Sequence, residues 1–195
     1  LEFLEKVPKG VFRLEIGVQS TNPETIKAIN RKTDFEVITN VTKKIMSFGN
    51  ITTHLDLIAG LPGENYESFK KSFNDVYEIE PEEIQLGFLK LLRGSSMREE
   101  AELYGMKYSP YPPYEILKTK DISYDELLEL KKVEEMVDKY YNSQKFNNII
   151  KYLVKKFETP FDFYFELGNF FDEKGYFNRS INNNEYYKVF LDFNK

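Results

Sequence analysis

Three short apolar runs alternate with two helix-forming stretches in the first half of this 195-residue chain. The runs extend from Val11 to Val18, from Thr52 to Ile58 and from Ile84 to Leu91, and each has the length and the β-branched or aromatic side chains of a buried strand. The stretches between them show the spacing of apolar residues that is typical of amphipathic helices. Because a strand–helix–strand–helix–strand order is typical of right-handed βαβ units, the first half predicts an α/β fold with a parallel sheet.

Local signals predict where the helices of this half begin and end. Asn22, Pro23 and Glu24 supply an N-cap, a first-turn proline and an acidic first turn. Gly49 is a typical helix-ending glycine, and Pro81 cannot continue a helix. The predicted helices span residues 22–30, 34–48 and 66–79.

The second half has a different character, because its patterns are mainly helical. The stretch from Arg93 to Pro113 contains several glycines and prolines and predicts a loop. Ser123 and Glu126 form a capping box that opens a helix toward Tyr141. Further helices are predicted over 146–157, 159–175 and 185–193, the last of which could also be a strand. We therefore predict two domains, an α/β part over residues 1–115 and an all-helical part over residues 116–195.

The composition argues against nucleic-acid binding, membrane association and cysteine chemistry in this chain. The net charge of −5 argues against a nucleic-acid-binding surface, which needs clustered Lys and Arg. No apolar run approaches the roughly 20 residues that span a bilayer, and no signal peptide opens the chain, so we expect no membrane association and a cytoplasmic location. The absence of cysteine excludes disulfides and thiolate ligands within these residues.

Polar residues interrupt two strands that would otherwise be apolar on both faces. Alternation places Glu15 and Gln19 on one face of the first strand, and His54 and Asp56 on one face of the second. Ligands of α/β folds gather at the carboxyl ends of strands, where Gln19 and Asp56 would lie. A structural network is the alternative, in which the two carboxylates pair with Arg13, His54 or Lys90. For His54, the single histidine, a structural role is favoured over catalysis.

A glycine-rich turn follows the second strand. Gly60-Leu61-Pro62-Gly63 is a tight turn that starts the next helix, and it lacks the glycine spacing and the Lys-Ser or Lys-Thr pair of a phosphate loop. The sequence therefore does not predict nucleotide binding through this turn.

Several of these segments, taken in order, resemble the radical S-adenosylmethionine (radical SAM) enzymes, most of all the branch with oxygen-independent coproporphyrinogen oxidases and cobalamin-binding members. The resemblance covers about residues 5–100 and implies the carboxyl-terminal half of a partial TIM-type (βα)₆ barrel with parallel strands, followed by an all-helical domain. The segments that carry it are Leu14-Glu15-Ile16-Gly17-Val18-Gln19-Ser20, Ile29-Asn30-Arg31, Asp56-Leu57-Ile58-Ala59-Gly60-Leu61-Pro62-Gly63 and the stretch from Pro81 to Leu91.

The resemblance implies a role in cofactor binding for several residues. By position, Gln19 would hydrogen-bond the ribose hydroxyls of S-adenosylmethionine, and Arg31 would clamp its methionyl carboxylate. Asp56 would face the cofactor from the middle strand, and Glu15 would line the cavity. The backbone near Lys90 and Leu91 would meet the adenine. No catalytic residue is assigned.

One part of the family pattern is missing. The CxxxCxxC loop, which binds a [4Fe–4S] cluster through three thiolates, does not occur in this cysteine-free chain, so the cluster ligands are expected outside it. The resemblance implies that a longer parent enzyme reductively cleaves S-adenosylmethionine into methionine and a 5′-deoxyadenosyl radical, and that this piece alone is inactive. Membership of the cobalamin-binding branch would add an upstream Rossmann-like domain. The substrate is unassigned, and the helical part is expected to cover the substrate or dock a partner.

The alternative is a free-standing α/β-plus-helical interaction module without cofactor, in which Glu15, Arg31 and Asp56 are structural ion pairs. In either case the first strand would lie at an exposed sheet edge. Such an edge favours pairing with another chain, so we expect self-association there or covering of the edge by the amino-terminal residues.

Overall fold

A three-stranded parallel sheet organises the first half of the molecule, as seen in a computed structural model that describes residues 1–194. Its strands lie in the order β1 (Arg13–Gln19), β2 (Thr52–Ala59) and β3 (Glu83–Phe88). The helices of this half are α1 (Glu2–Glu5), α2 (Pro23–Ala28), α3 (Phe35–Met46) and α4 (Tyr66–Tyr77). The predicted alternation of parallel strands and helices is confirmed, and with it the α/β class expected of half a partial barrel.

The two faces of the sheet have opposite character, as the alternation of side chains predicts. One face is buried in the core together with the apolar side of α4, including Phe69 and Phe73. The other face carries the polar residues of the three strands. The apolar face is formed by Val18, Leu55, Leu57, Ile84 and Leu86. The core therefore lies on one side of the sheet and leaves the polar side for other contacts.

The second half is mainly helical, with two features that the sequence pattern did not predict. The predicted loop contains a short helix and the first strand of a two-stranded antiparallel hairpin, whose second strand lies just beyond residue 115, in the part predicted to be all-helical. Strands this short show no periodicity along the sequence. Residues 185–193, for which the sequence allowed either a helix or a strand, form a helix. The elements are α5 (Ser96–Glu99), β4 (Lys107–Tyr108), β5 (Ile116–Lys118), α6 (Tyr124–Met136, continued by a π-helix over Val137–Asn142), α7 (Asn147–Leu153), α8 (Pro160–Glu173) and α9 (Asn183–Phe193).

The helical part packs directly on the sheet and on α4. The Asn142 side chain accepts a hydrogen bond from the Ile84 N–H (2.9 Å) and donates one to the Ile84 carbonyl (3.0 Å). The Tyr141 hydroxyl donates to the Pro81 carbonyl at 2.5 Å. One hydrophobic core runs through both halves, so the boundary near residue 115 stays a prediction. No helix within residues 1–194 is long and apolar enough to cross a membrane.

Strand β1 forms the outer edge of the described sheet, since its pairing is with β2 alone. The amino-terminal residues are held near the start of β2. There the Asn50 side-chain amide donates to the carbonyls of Leu4 (2.9 Å) and Val7 (2.6 Å). The self-association expected at the β1 edge stays a prediction.

Candidate functional site

Two of the predicted cofactor-binding side chains meet at the carboxyl end of β1. The Arg31 guanidinium donates from Nη1 to the Gly17 carbonyl at 2.8 Å. A Cβ atom on Gly17 would lie 2.4 Å from Nε2 of Gln19 and 3.3 Å from Nη1 of Arg31. Both side-chain ends therefore occupy the space above Gly17 that any larger residue would fill. The partner of Arg31 in this contact is a backbone carbonyl. The interaction-module alternative instead predicts that Arg31 forms a structural ion pair with a carboxylate.

A bulge in β1 brings the Gln19 side chain to this position. Gly17 pairs with Asp56 and Gln19 pairs with Leu57, so Val18 is an extra residue in the ladder. Gln19 also has a φ of 69°, a left-handed conformation that is unusual for a residue other than glycine. A bulge of this kind redirects a side chain. Here it places the amide of Gln19 over the backbone of its own strand.

A buried polar cluster holds the loop after β1 against α4. The Ser20 and Ser72 hydroxyls donate to Oε1 of Glu64 at 2.5 and 3.1 Å, and the Thr21 hydroxyl donates to Asp75 at 2.6 Å. Glu64 is only 1% exposed, and its Oε2 atom has no hydrogen-bond partner among the described residues. Burial raises the pKa of Glu64 to about 7, against the opposing effect of the two serine hydrogen bonds.

Sequence reasoning missed Glu64. The available signal was a carboxylate directly after the Gly60–Gly63 turn, but its two serine partners lie 44 and 8 residues away along the chain. The cluster joins the ends of β1 and β2 to α4, and so it positions the backbone that carries Gln19.

Asp56 lies beside Gly17 in the register of the sheet, on its polar face. Nδ1 of His54 is 3.6 Å from Oδ1 of Asp56 and 4.0 Å from a carboxylate oxygen of Glu15. Burial raises the pKa of Asp56 and the Glu15 carboxylate adds to this, whereas His54 and Arg13 oppose it. Oδ1 of Asp56 is buried without a hydrogen-bond partner within residues 1–194, whereas 28% of the Asp56 side chain remains accessible.

The polar face thus contains part of the predicted structural network. His54 is buried between the carboxylates of Glu15, Asp56 and Glu83, and the Arg13 side chain forms an ion pair with Glu83. Glu15 itself is largely exposed, with 70% of its side chain accessible. The network leaves both Glu15 and Asp56 able to contact a ligand on this face.

Lys90 and Leu91 follow β3 at the same edge of the sheet as Gln19. Lys90 is exposed, whereas Leu91 is fully buried. The Leu91 N–H donates to the Tyr114 carbonyl at 3.0 Å, and the Leu91 carbonyl accepts from Arg98 at 3.0 Å. Both backbone polar groups of Leu91 are therefore used within the chain.

Replacing Gly17 by Ala is expected to displace the Gln19 amide without unfolding the protein. The added methyl group would meet the flexible end of Gln19, which can move away, while alanine in a strand recovers about 0.5–1 kcal/mol of backbone entropy. The side-chain NH₂ resonances of Gln19 should shift in NMR spectra, with the urea midpoint nearly unchanged. Gly87→Ala is the matched control, because a Cβ there lies no closer than 3.4 Å to another atom. Unchanged Gln19 resonances in Gly17→Ala would contradict the contact.

Comparisons with known proteins divide the chain into two parts. The family model of the radical SAM superfamily matches residues 1–76, and a model described as a protein of unknown function (DUF4080) matches residues 102–195. The oxygen-independent coproporphyrinogen III oxidase of Escherichia coli (strain K12) is 35% identical over 78 residues, which are 40% of this chain and 17% of that protein.

One further relative and one solved structure are similar to the first part of the chain. The oxygen-independent coproporphyrinogen-III oxidase-like protein HemZ of Bacillus subtilis (strain 168) is 32% identical over 92 residues, covering 47% of this chain and 18% of that protein. The solved structure of the Escherichia coli coproporphyrinogen III oxidase, described as a radical SAM enzyme, aligns with 40% of this chain and 18% of its own at 35% identity and a TM-score of 0.38. The chain thus spans less than a fifth of the length of the curated relatives it matches.

Proposed function

Because the model of the radical SAM superfamily matches residues 1–76, we propose that this chain supplies part of the S-adenosylmethionine site of a radical SAM enzyme. The observation that carries the proposal is the position of the Gln19 and Arg31 side-chain ends above Gly17, which pairs in the sheet with the partly accessible Asp56. These groups stand at the carboxyl ends of parallel strands, where ligands of α/β barrels bind.

The donors and acceptors of this site fit the polar groups of S-adenosylmethionine. A guanidinium fork suits a carboxylate, and Arg31 uses one of its five N–H donors on Gly17, which leaves others for the methionyl carboxylate. The Gln19 amide offers a donor and an acceptor for the ribose diol. Asp56 and Glu15 would face the sulfonium side of the ligand with negative charge. Leu91 is fully buried and its polar backbone groups are bonded within the chain, so we assign the adenine contact to the exposed Lys90.

The residues present in this chain do not fit the [4Fe–4S] cluster of the radical SAM enzymes. The chain has no cysteine, and the part that the structure describes holds no group of three or more potential ligands that could bind a metal ion. We therefore propose that the cluster ligands belong to a preceding segment of a longer protein. A reduced [4Fe–4S] cluster would supply the electron that cleaves a carbon–sulfur bond of bound S-adenosylmethionine, so residues 1–195 alone are expected to be inactive. Cobalamin binding by the longer protein and a cytoplasmic location stay predictions.

Arg31→Gln tests the proposal in the longer protein that combines this chain with the cluster ligands. After anaerobic reconstitution with iron and sulfide, the wild type should form 5′-deoxyadenosine from S-adenosylmethionine and dithionite. Loss of charge-assisted hydrogen bonds worth about 1.5–3 kcal/mol should lower kcat/KM about tenfold to a hundredfold in Arg31→Gln. The measurement is the rate of 5′-deoxyadenosine formation.

Lys32→Gln is the matched control, since it removes the same charge at the next, exposed position. Its rate should equal that of the wild type. A folded, fully reconstituted wild type that forms no 5′-deoxyadenosine would favour the interaction module without cofactor. Equal rates in Arg31→Gln and Lys32→Gln would remove Arg31 from the binding site.

A further inference from the structure

Five arginines occur in the chain, and two of them form ion pairs with carboxylates. The other three, Arg31, Arg93 and Arg98, have no carboxylate partner within residues 1–194. All three follow the carboxyl ends of strands, Arg31 after β1 and the other two after β3. In a chain of net charge −5, the unpaired guanidinium groups are thus concentrated on the edge of the sheet that carries the proposed cofactor site.

Arg93 and Arg98 are gathered around one tyrosine ring. The Cζ atom of Arg98 lies 4.8 Å from the ring centroid of Tyr114 and 5.1 Å from that of Tyr108. The Cζ atom of Arg93 lies 5.6 Å from the Tyr114 centroid. Stacking on an aromatic ring holds a guanidinium through its face, which leaves the N–H groups at its edge free to donate.

The segment that carries Tyr114 is fixed to the end of the sheet. The Leu89 N–H donates to the Ala59 carbonyl at 3.0 Å, and the Ile116 N–H donates to the Leu89 carbonyl at 2.8 Å. Ile116 also packs on the turn after β2, where a Cβ on Gly60 would lie 2.8 Å from its Cγ2 atom. Tyr114 has a φ of 60°, a conformation that is costly for a bulky residue and that these contacts maintain.

The donors of the two arginines are mostly unused. The one hydrogen bond from these two side chains to the described residues runs from Nη1 of Arg98 to the Leu91 carbonyl. A guanidinium has five N–H donors, in a fork that matches the oxygens of a carboxylate or a phosphate. Arg93 is exposed and Arg98 is half-buried, so together they offer one accessible and one anchored guanidinium beyond the carboxyl end of β3.

We propose that Arg93 and Arg98, held by Tyr114, bind an oxyanion group of the substrate, a carboxylate or a phosphate. The inference rests on the proposed function and extends it to the substrate class. Arg31 is assigned to the carboxylate of S-adenosylmethionine, so the two arginines beyond β3 serve a second anion. Their place at the end of β3, two strands from β1, puts that anion at the opposite side of the same sheet edge.

The test uses the 195-residue chain without cluster, titrated separately with inorganic phosphate and with succinate at constant ionic strength. Binding is followed through the Nε–Hε resonances of the arginines in ¹⁵N-correlated NMR spectra. We expect saturable shifts of Arg93 and Arg98 with one of the two anions, which distinguishes a phosphate from a carboxylate substrate. Arg93→Gln should weaken that binding about tenfold, a loss equivalent to about 1.4 kcal/mol.

Two controls separate this site from the proposed cofactor site. Arg179→Gln removes an arginine that pairs with Glu185, and Arg31→Gln removes the proposed carboxylate clamp. Both variants should keep the saturable shifts of Arg93 and Arg98. Linear shifts without saturation, or equal anion binding by the wild type and Arg93→Gln, would overturn the proposal. Because this readout requires neither cluster nor S-adenosylmethionine, its failure is distinguishable from failure of the 5′-deoxyadenosine assay.

Discussion

Replacing Phe73 by Ala is expected to lower the free energy of unfolding by about 3–5 kcal/mol. Phe73 lies in α4 and is fully buried. Its ring centroid is 5.7 Å from that of Phe161 and 5.9 Å from that of Tyr164, both in α8, and 6.0 Å from that of Tyr77. Truncation would remove the transfer free energy of the ring and leave a cavity between the two halves.

The Phe73→Ala variant also tests whether the α/β half and the helical half unfold as one unit. Since Phe73 belongs to the α/β half and Phe161 and Tyr164 to the helical half, a cavity between them should destabilise both halves together. We expect one unfolding transition, shifted to lower urea concentration, whether followed by far-ultraviolet circular dichroism or by tyrosine fluorescence.

Phe3→Ala is the matched control, because the same truncation is made where the side chain is 70% exposed. Its free energy of unfolding should change by no more than about 0.5 kcal/mol. If Phe73→Ala instead separates two transitions and leaves one of them unshifted, the helical part folds independently of the sheet.

Replacing Glu64 by Gln is expected to stabilise the protein at pH 8 by about 3 kcal/mol and to leave its stability near pH 4 unchanged. The pKa of the buried Glu64 rises from an ordinary 4.5 to about 7 because burial disfavours the carboxylate. Ionisation in the folded state therefore costs free energy that glutamine, which is neutral and has the same shape, does not.

The sign of the pH dependence follows from this shift. The folded state holds the Glu64 proton more tightly than the unfolded state does, so the stabilisation is fully present below pH 4.5. It is lost progressively as the pH rises from 4.5 to about 7, and the free energy of unfolding then stays at the lower level.

Urea titrations at intervals between pH 4 and pH 8 measure this effect. The difference between Glu64→Gln and the wild type should grow through the window from pH 4.5 to about 7. Glu78→Gln makes the same change at an exposed position on the end of α4 and should show no such growth. A difference for Glu64→Gln that is constant over the whole range would contradict the raised pKa.

Local patterns predicted much of the fold. The apolar runs of the three strands, the N-cap Asn22 and the Ser123–Glu126 capping box all appear in the structure where the sequence indicates them. Each of these signals involves residues within a few positions of one another, so the sequence carries them directly. The period of two in the strands likewise predicted a polar face with Glu15, His54 and Asp56.

What the sequence by itself determined, then, is the order and type of the main elements and the residues of the polar face. The tertiary structure alone decided that Gln19 turns back over Gly17, that Glu64 is buried beneath Ser20, and that Arg98 stacks on Tyr114. The bulge at Val18 depends on the register with β2, and the Glu64 cluster joins residues up to 54 positions apart. The physical reason is that hydrogen bonds and burial between distant segments are set by packing, which no periodicity along the chain encodes.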